Sequence, residues 1–464
     1  MAASLPSRDS DGKMRALTST TGGFADMRKL TIAALTGALA LSVPAVSQAL
    51  EPAIPKQTVI TAARYLDVAT GKYVEHPAIF VGADGRITGI ADARTVKWGA
   101  DVKHIDMGSK TLLPGLIDMH VHLDSPANIG GWRSLEYTDS FFAMTAVSNG
   151  RAMLDAGFTT VRNVGSSNRN DIGLAQAVSQ GYVTGPRIVA AGYALGSTGG
   201  HCDQTGLPPS MEKPGKMEGV GDTPEELKYQ VRRQRKYGAT VIKVCATGGV
   251  FSHNTEPGQQ QLHDAELTAI ADEAHMWGLR VAAHAHGAAG IKAAIRSGID
   301  TIEHASLVDD EGIKLAVARP RPVWFAMDIY NTDYTQAEGA KNGVLEDNLR
   351  KDREIGQLQR DNFRKAFKAG VRMVFGSDAG VMPHALIGRQ FGTMVAYGMT
   401  PLDAIRAATL NAAQALGWEK DVGMIAVGRF ADLVAVDGDP LANVRELEGV
   451  DGVIKGGVVI ERAR

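Results

Sequence analysis

The stretch LPGLIDMHVHL, residues 113–123, decides how the rest of the chain is read. It is an apolar run that ends in His-x-His. On a strand, side chains two apart share a face, so His120 and His122 point the same way at the end of a buried strand. Imidazoles taken out of water need partners. Two held side by side are a ready ligand pair for one divalent cation. For this pair alone, hydrogen-bonded core histidines are the alternative.

From this stretch onward, apolar strands alternate with helical patterns. The strands are expected at 113–123, 159–164, 187–191, 240–246, 280–285, 301–305, 322–326 and 372–376, with helical spacing at 265–277 and 288–297. Eight strand–helix units predict an α/β fold, a (β/α)8 TIM barrel. The charged stretch 335–369 has helical spacing and is expected to cover one side of the barrel mouth. Before the barrel, short strand-like runs at 58–63, 78–81 and 87–90 are separated by turn signals such as Asp84-Gly85. β texture returns after 423, which predicts a small β-sandwich split around the barrel. The expected division is therefore 1–49, 50–112, 113–422 and 423–464.

The first of these parts reads as an extension and leader. Met27-Arg28-Lys29 precedes an apolar run, 30–46, and then Ser47-Gln48-Ala49. Charges, a run shorter than a membrane span, and small-x-small residues predict signal-peptide cleavage near Ala49. The mature chain is then expected to be periplasmic or secreted, with no stable membrane anchor. A net charge of −2 gives no general attraction to nucleic acid. The two cysteines cannot form a disulfide framework; one bond is open to them, and nothing in the sequence requires it.

Active sites of such barrels lie at the carboxyl ends of the strands. There the chain places His120 and His122 on strand one and Lys243 on strand four. His284, with His286 two on, follows on strand five, His304 on strand six and Asp378 on strand eight. Each alone has an ordinary structural reading. Together they put an ionisable or ligating group at the same end of most of the strands.

This constellation resembles the amidohydrolase superfamily, and within it the imidazolonepropionase-like branch. That branch includes bacterial metal-dependent Xaa-Pro and Xaa-Arg carboxypeptidases and ochratoxin-hydrolysing amidohydrolases. The likeness spans nearly the whole predicted mature chain, including the ending Gly428-Arg-Phe-Ala-Asp-Leu-Val434. It implies that His120, His122 and Asp378 hold one divalent cation, that His284 and His304 hold a second, and that Lys243, carboxylated at its amine, bridges them. The resemblance implies zinc, and takes His284 rather than His286. It also implies Asp378 as the proton carrier between water and leaving amine. A homo-oligomer such as an octamer belongs to the same analogy.

Other mouth residues follow from position. His201, in Ser-Thr-Gly-Gly-His-Cys past strand three, is expected to polarise the carbonyl or bind product. His253, after strand four, is expected to meet a substrate carboxylate, and Tyr330, after strand seven, is a weaker substrate contact. Cys245 shares the inward face of Lys243 and is read as small packing. The expected reaction is hydrolysis of the amide of an N-acyl amino acid or dipeptide with a free carboxylate, ochratoxin A included. A cyclic-amide, imidazolone or lactone hydrolase is the alternative on the same scaffold. A catalytically inactive envelope binding protein is the alternative of another class.

Overall fold

The computed structural model describes residues 57–211 and 215–462; the expected leader lies outside them. Eight parallel strands form the centre: Leu116–Val121 (β1), Phe158–Asn163 (β2), Arg187–Ala190 (β3), Val241–Cys245 (β4), Arg280–Gly287 (β5), Thr301–Leu307 (β6), Trp324–Ala326 (β7) and Arg372–Val374 (β8). β1 to β3 pair in sequence order, as do β4 to β8. Two seams close the ring. The Leu195 N–H donates to the Lys243 carbonyl at 2.8 Å, and the Cys245 N–H donates back to the Leu195 carbonyl at 2.8 Å, joining β4 to the segment after β3. Between β8 and β1, Met119 donates to Phe375 at 2.9 Å and His122 to Ala379 at 2.7 Å. The result is a (β/α)8 barrel.

Helices cover its outside, so the strands are buried on both faces. β1 and β4 contain no exposed residue. Local signals agree with this packing. Thr223 caps the helix Pro224–Lys236 by accepting from Glu226 N–H, and Pro224 sits in the first turn, where its missing donor is not needed. The charged stretch expected at 335–369 forms two helices, Asn331–Glu338 and Glu346–Lys368. Gly343, at φ 87°, lies in the turn between them. The second helix buries Ile355, Gln359, Phe363 and Ala366, a helical stripe, and Gln359 reaches the His304 carbonyl on β6.

The smaller β part consists of two sheets. One contains Gln57–Thr61, Pro77–Gly82, Ile87–Asp92 and Lys103–Asp106. The other joins Arg64–Asp67, Lys72–Glu75 and Thr111–Pro114 to three late strands, Leu433–Val436, Gly452–Lys455 and Val458–Val459. The segments before and after the barrel meet where Leu433 to Val436 pair antiparallel with Pro114 to Thr111. Ile60, Ile79, Leu112, Leu433 and Ile454 pack between the sheets.

The run 113–123 is not one strand. Thr111–Pro114 belongs to the small sheet and Leu116–Val121 to the barrel. Gly115 is the joint. A Cβ there would lie 2.1 Å from Thr159 Oγ1, so only glycine passes this close to β2. Pro114-Gly115 is the one mark of this change of sheet in an otherwise apolar run.

Candidate metal centre

His120 and His122 leave β1 on one face, with ring centroids 5.5 Å apart. Asp378, after β8, brings Oδ1 to 3.4 Å from His120 Nε2 and 3.5 Å from His122 Nε2. Donor atoms of these three residues lie within 4.8 Å of one another. Asp378 reaches them from a left-handed backbone, φ 55°, while its N–H donates to the His120 carbonyl at 2.9 Å. Such a conformation costs a non-glycine residue about 1–3 kcal/mol and persists where the surroundings enforce it.

His284 and His286 from β5 and His304 from β6 form a second group within the same 4.8 Å limit. Both β5 histidines face the interior, so geometry brings in His286 alongside His284. The His304 backbone is also left-handed, φ 68°. Strand alternation would turn His304 away, because Glu303 beside it already faces inward. The positive φ accompanies the placement of both consecutive side chains in the interior. The His304 ring lies 4.8 Å from that of His120, which joins the two groups.

Each ring is held from its far side. His304 Nδ1 pairs with Asp328 Oδ1 at 2.8 Å, and Asp328 also accepts from Gln359 at 3.0 Å and from Asn331. His286 Nδ1 meets Ser306 Oγ at 2.7 Å. His284 Nε2 meets the Gly248 carbonyl at 3.1 Å, and His122 Nδ1 the Gly165 carbonyl at 3.1 Å. His120 Nδ1 meets Glu303 Oε2 at 2.9 Å.

The electrostatics favour the ligand forms. Burial pulls His122 down to about 4 and His284 and His286 well below their ordinary value, so these rings are neutral at pH 7. Burial works to raise Asp378, but its hydrogen bond with His120 and the nearby histidines hold it far below the usual carboxylate range. Lys243, buried on β4, is lowered to about 8 by desolvation. Its amine makes no hydrogen bond or ion pair among the described residues. His120 differs: burial and Lys243 work to lower it, but its hydrogen bonds with Asp378 and Glu303 raise it. Neutral imidazoles at His122, His284 and His286, an ionised carboxylate and an easily deprotonated amine form a donor set that fits divalent cations of the zinc type.

The softer expectations divide. His201 joins the site: its ring lies 4.1 Å from that of His284, and Nδ1 meets Ser252 Oγ at 2.8 Å. A Cβ at Gly249 would fall 2.3 Å from this ring, so that glycine makes room for it. Burial holds His201 down at about 3. His253 is exposed one residue beyond Ser252, and a Cβ on Gly206 would touch both it and Trp132. Tyr330 is not brought to the histidines by any hydrogen bond. Its hydroxyl accepts from Arg389 at 3.0 Å, in a crevice shared with Asp333, Arg445 and Glu448. Cys245 is not mere packing: it forms a disulfide with Cys202.

Glu303, Arg162 and Asp328 were not singled out from the sequence. A signal existed for two of them. Arg162 and Glu303 are charged residues inside strands expected to be buried, where a burial cost demands a partner. Asp328 follows a short strand and carries no such mark.

Residues 111–460 match the Amidohydrolase family. The chain is 31% identical over 377 residues to an ochratoxinase from Aspergillus niger, covering 75% of each chain. A solved Xaa-Pro dipeptidase with methionine bound in its active site is 33% identical with a TM-score of 0.82, covering 87% of this chain and 100% of that one. A prolidase solved with N-methylphosphonate-L-proline is also 33% identical, with a TM-score of 0.80, covering 88% and 100%.

Proposed function

The chain belongs to the amidohydrolase family, as a hydrolase of amide bonds, and we propose that it uses two divalent cations to cleave N-acyl amino acids or dipeptides with a free α-carboxylate. The observation that carries this reading is the meeting of two three-donor groups, His120/His122/Asp378 and His284/His286/His304, in one interior. Lys243 faces that interior and bears electrostatically on His120, His122 and His284.

In this reading His120, His122 and Asp378 hold one cation and His284 and His304 the other, with His286 beside them. Lys243 would add carbon dioxide through its neutral amine, forming an N–C bond and releasing a proton to solvent, and the carbamate would offer oxygen ligands to the cations. Zinc or a similar ion held there would supply Lewis acidity, acidifying water and polarising the scissile carbonyl. Asp378 takes the water proton as oxygen bonds to the carbonyl carbon, then delivers it to the leaving nitrogen as the C–N bond breaks. His201 Nδ1 is engaged by Ser252 Oγ, which leaves Nε2 to meet a substrate oxygen when that nitrogen carries the proton. His253 at the mouth is placed to meet the α-carboxylate.

Methionine and an L-proline derivative, the molecules named with two of the similar structures, both carry an amino acid carboxyl group. With the ochratoxinase likeness, this supports an amino acid leaving group with an apolar or aromatic side chain. Candidates are an aromatic acyl group on phenylalanine, as in ochratoxin, and Xaa-Pro dipeptides. The test is a hydrolysis screen of N-acyl amino acids and dipeptides with protein loaded with zinc and stripped by a chelator. Release of free amino acid by the loaded form alone is expected. Turnover confined to cyclic amides or lactones would replace this reading with the cyclic-substrate one.

A further inference from the structure

Arg162 on β2 is 1% exposed and Glu303 on β6 is 0% exposed. Every Arg162 nitrogen has a partner: Nε donates to the Met119 carbonyl at 2.6 Å, Nη1 to Thr301 Oγ1 at 2.9 Å, and Nη2 to Glu303 Oε1 at 2.7 Å. The other carboxylate oxygen, Oε2, lies 2.9 Å from His120 Nδ1. One carboxylate thus divides its two oxygens between a buried guanidinium and a ring whose far nitrogen, Nε2, faces Asp378.

A carboxylate held by arginine is an acceptor only. Nδ1 must then carry a proton, so Nε2 is the nitrogen left to a cation on the Asp378 side. An ion pair that served only folding would have no need to end on this ring.

We infer that Glu303, locked by Arg162, is a positioning residue that selects the Nδ1–H form of His120 and so sets the affinity of the cation position formed by His120, His122 and Asp378. The inference rests on the two-cation reading above. It makes the two positions respond differently, because His304 takes its own support from Asp328.

The test counts bound cobalt or zinc in wild type and Glu303→Gln during dialysis against graded chelator, with the visible spectrum of the cobalt form as a second readout. Glutamine offers one acceptor where two are needed, so either Arg162 or His120 loses its partner. Wild type is expected to hold two cations. The variant is expected to hold one of them about 10–100-fold more weakly and the other unchanged, with the loss of one set of cobalt bands. If Glu303→Gln does not fold, Arg162→Met/Glu303→Met removes both buried charges together and carries the same expectation. Retention of both cations at wild-type affinity, or equal weakening of both, overturns the inference and leaves the two-cation reading standing. A wild type that binds no cation overturns that reading and this inference with it.

Discussion

Cys202 and Cys245 form a disulfide, Cα atoms 5.7 Å apart, that ties the loop carrying His201 to β4 two residues beyond Lys243. The bond closes a sequence separation of 43 residues, and crosslinks of this kind stabilise by about 2–4 kcal/mol. Reduction, or Cys202→Ser, is therefore expected to lower the melting temperature. It should also raise KM more than it lowers kcat, because His201 is released while the cation ligands stay on their strands. Melting curves and steady-state kinetics with and without reductant check this; unchanged values of both would contradict it.

Lys243→Ala is expected to remove most activity and to deplete bound metal, since it deletes the one ligand proposed to serve both positions. Bicarbonate or acetate should restore part of the activity by supplying small carboxylates. Asp378→Asn should keep more metal than Lys243→Ala, yet lose about 10²–10⁴ in rate with the proton carrier. Metal analysis beside kcat separates the two effects. Equal metal loss in both variants would remove the distinction drawn between their roles.

Acid should unfold the metal-free protein early. His122 and His384 fall from 6.5 in the unfolded chain to about 4 when folded, and His201 to about 3, all through burial. Below pH 6.5 these histidines bind more protons in the unfolded chain than in the folded one, which lowers stability as pH falls from about 6.5 toward 4; Asp118 and Asp124, raised by burial to about 7 and about 6, offset part of this. Chelator-treated protein is expected to melt lower at pH 5.5 than at pH 7.5. Zinc-loaded protein should show a smaller drop until its ligands are protonated. A pH-independent melt of the metal-free form would contradict these depressed values.

Much of the centre was legible because a barrel strand admits few polar residues on its inward face. His120, His122, Lys243, His284, His304 and Asp378 stand out for that reason, and family likeness added only the choice of His284 over His286. His304 and Asp378 reach the site through positive φ, which no residue pattern announces. The break at Gly115 had a mark, the Pro114-Gly115 pair, but apolar residues on both sides make the run read as continuous. Tyr330 follows β7 as expected, and its hydroxyl pairs with Arg389, a contact that position along the chain does not announce. The disulfide depends on the folded course of the loop after β3, which spacing alone does not reveal.

The central claim, amide cleavage beside a free carboxylate, is tested most directly by comparing kcat/KM for an N-acyl-L-phenylalanine with that for its methyl ester, using zinc-loaded protein. The ester keeps the amide, the acyl group and the side chain, and removes only the charge proposed to orient the amide. The account predicts release of phenylalanine from the free acid and a loss of at least about tenfold for the ester, which corresponds to roughly 1.4 kcal/mol of transition-state binding. Equal turnover of acid and ester, or a matched lactone cleaved orders of magnitude faster than either, would contradict it.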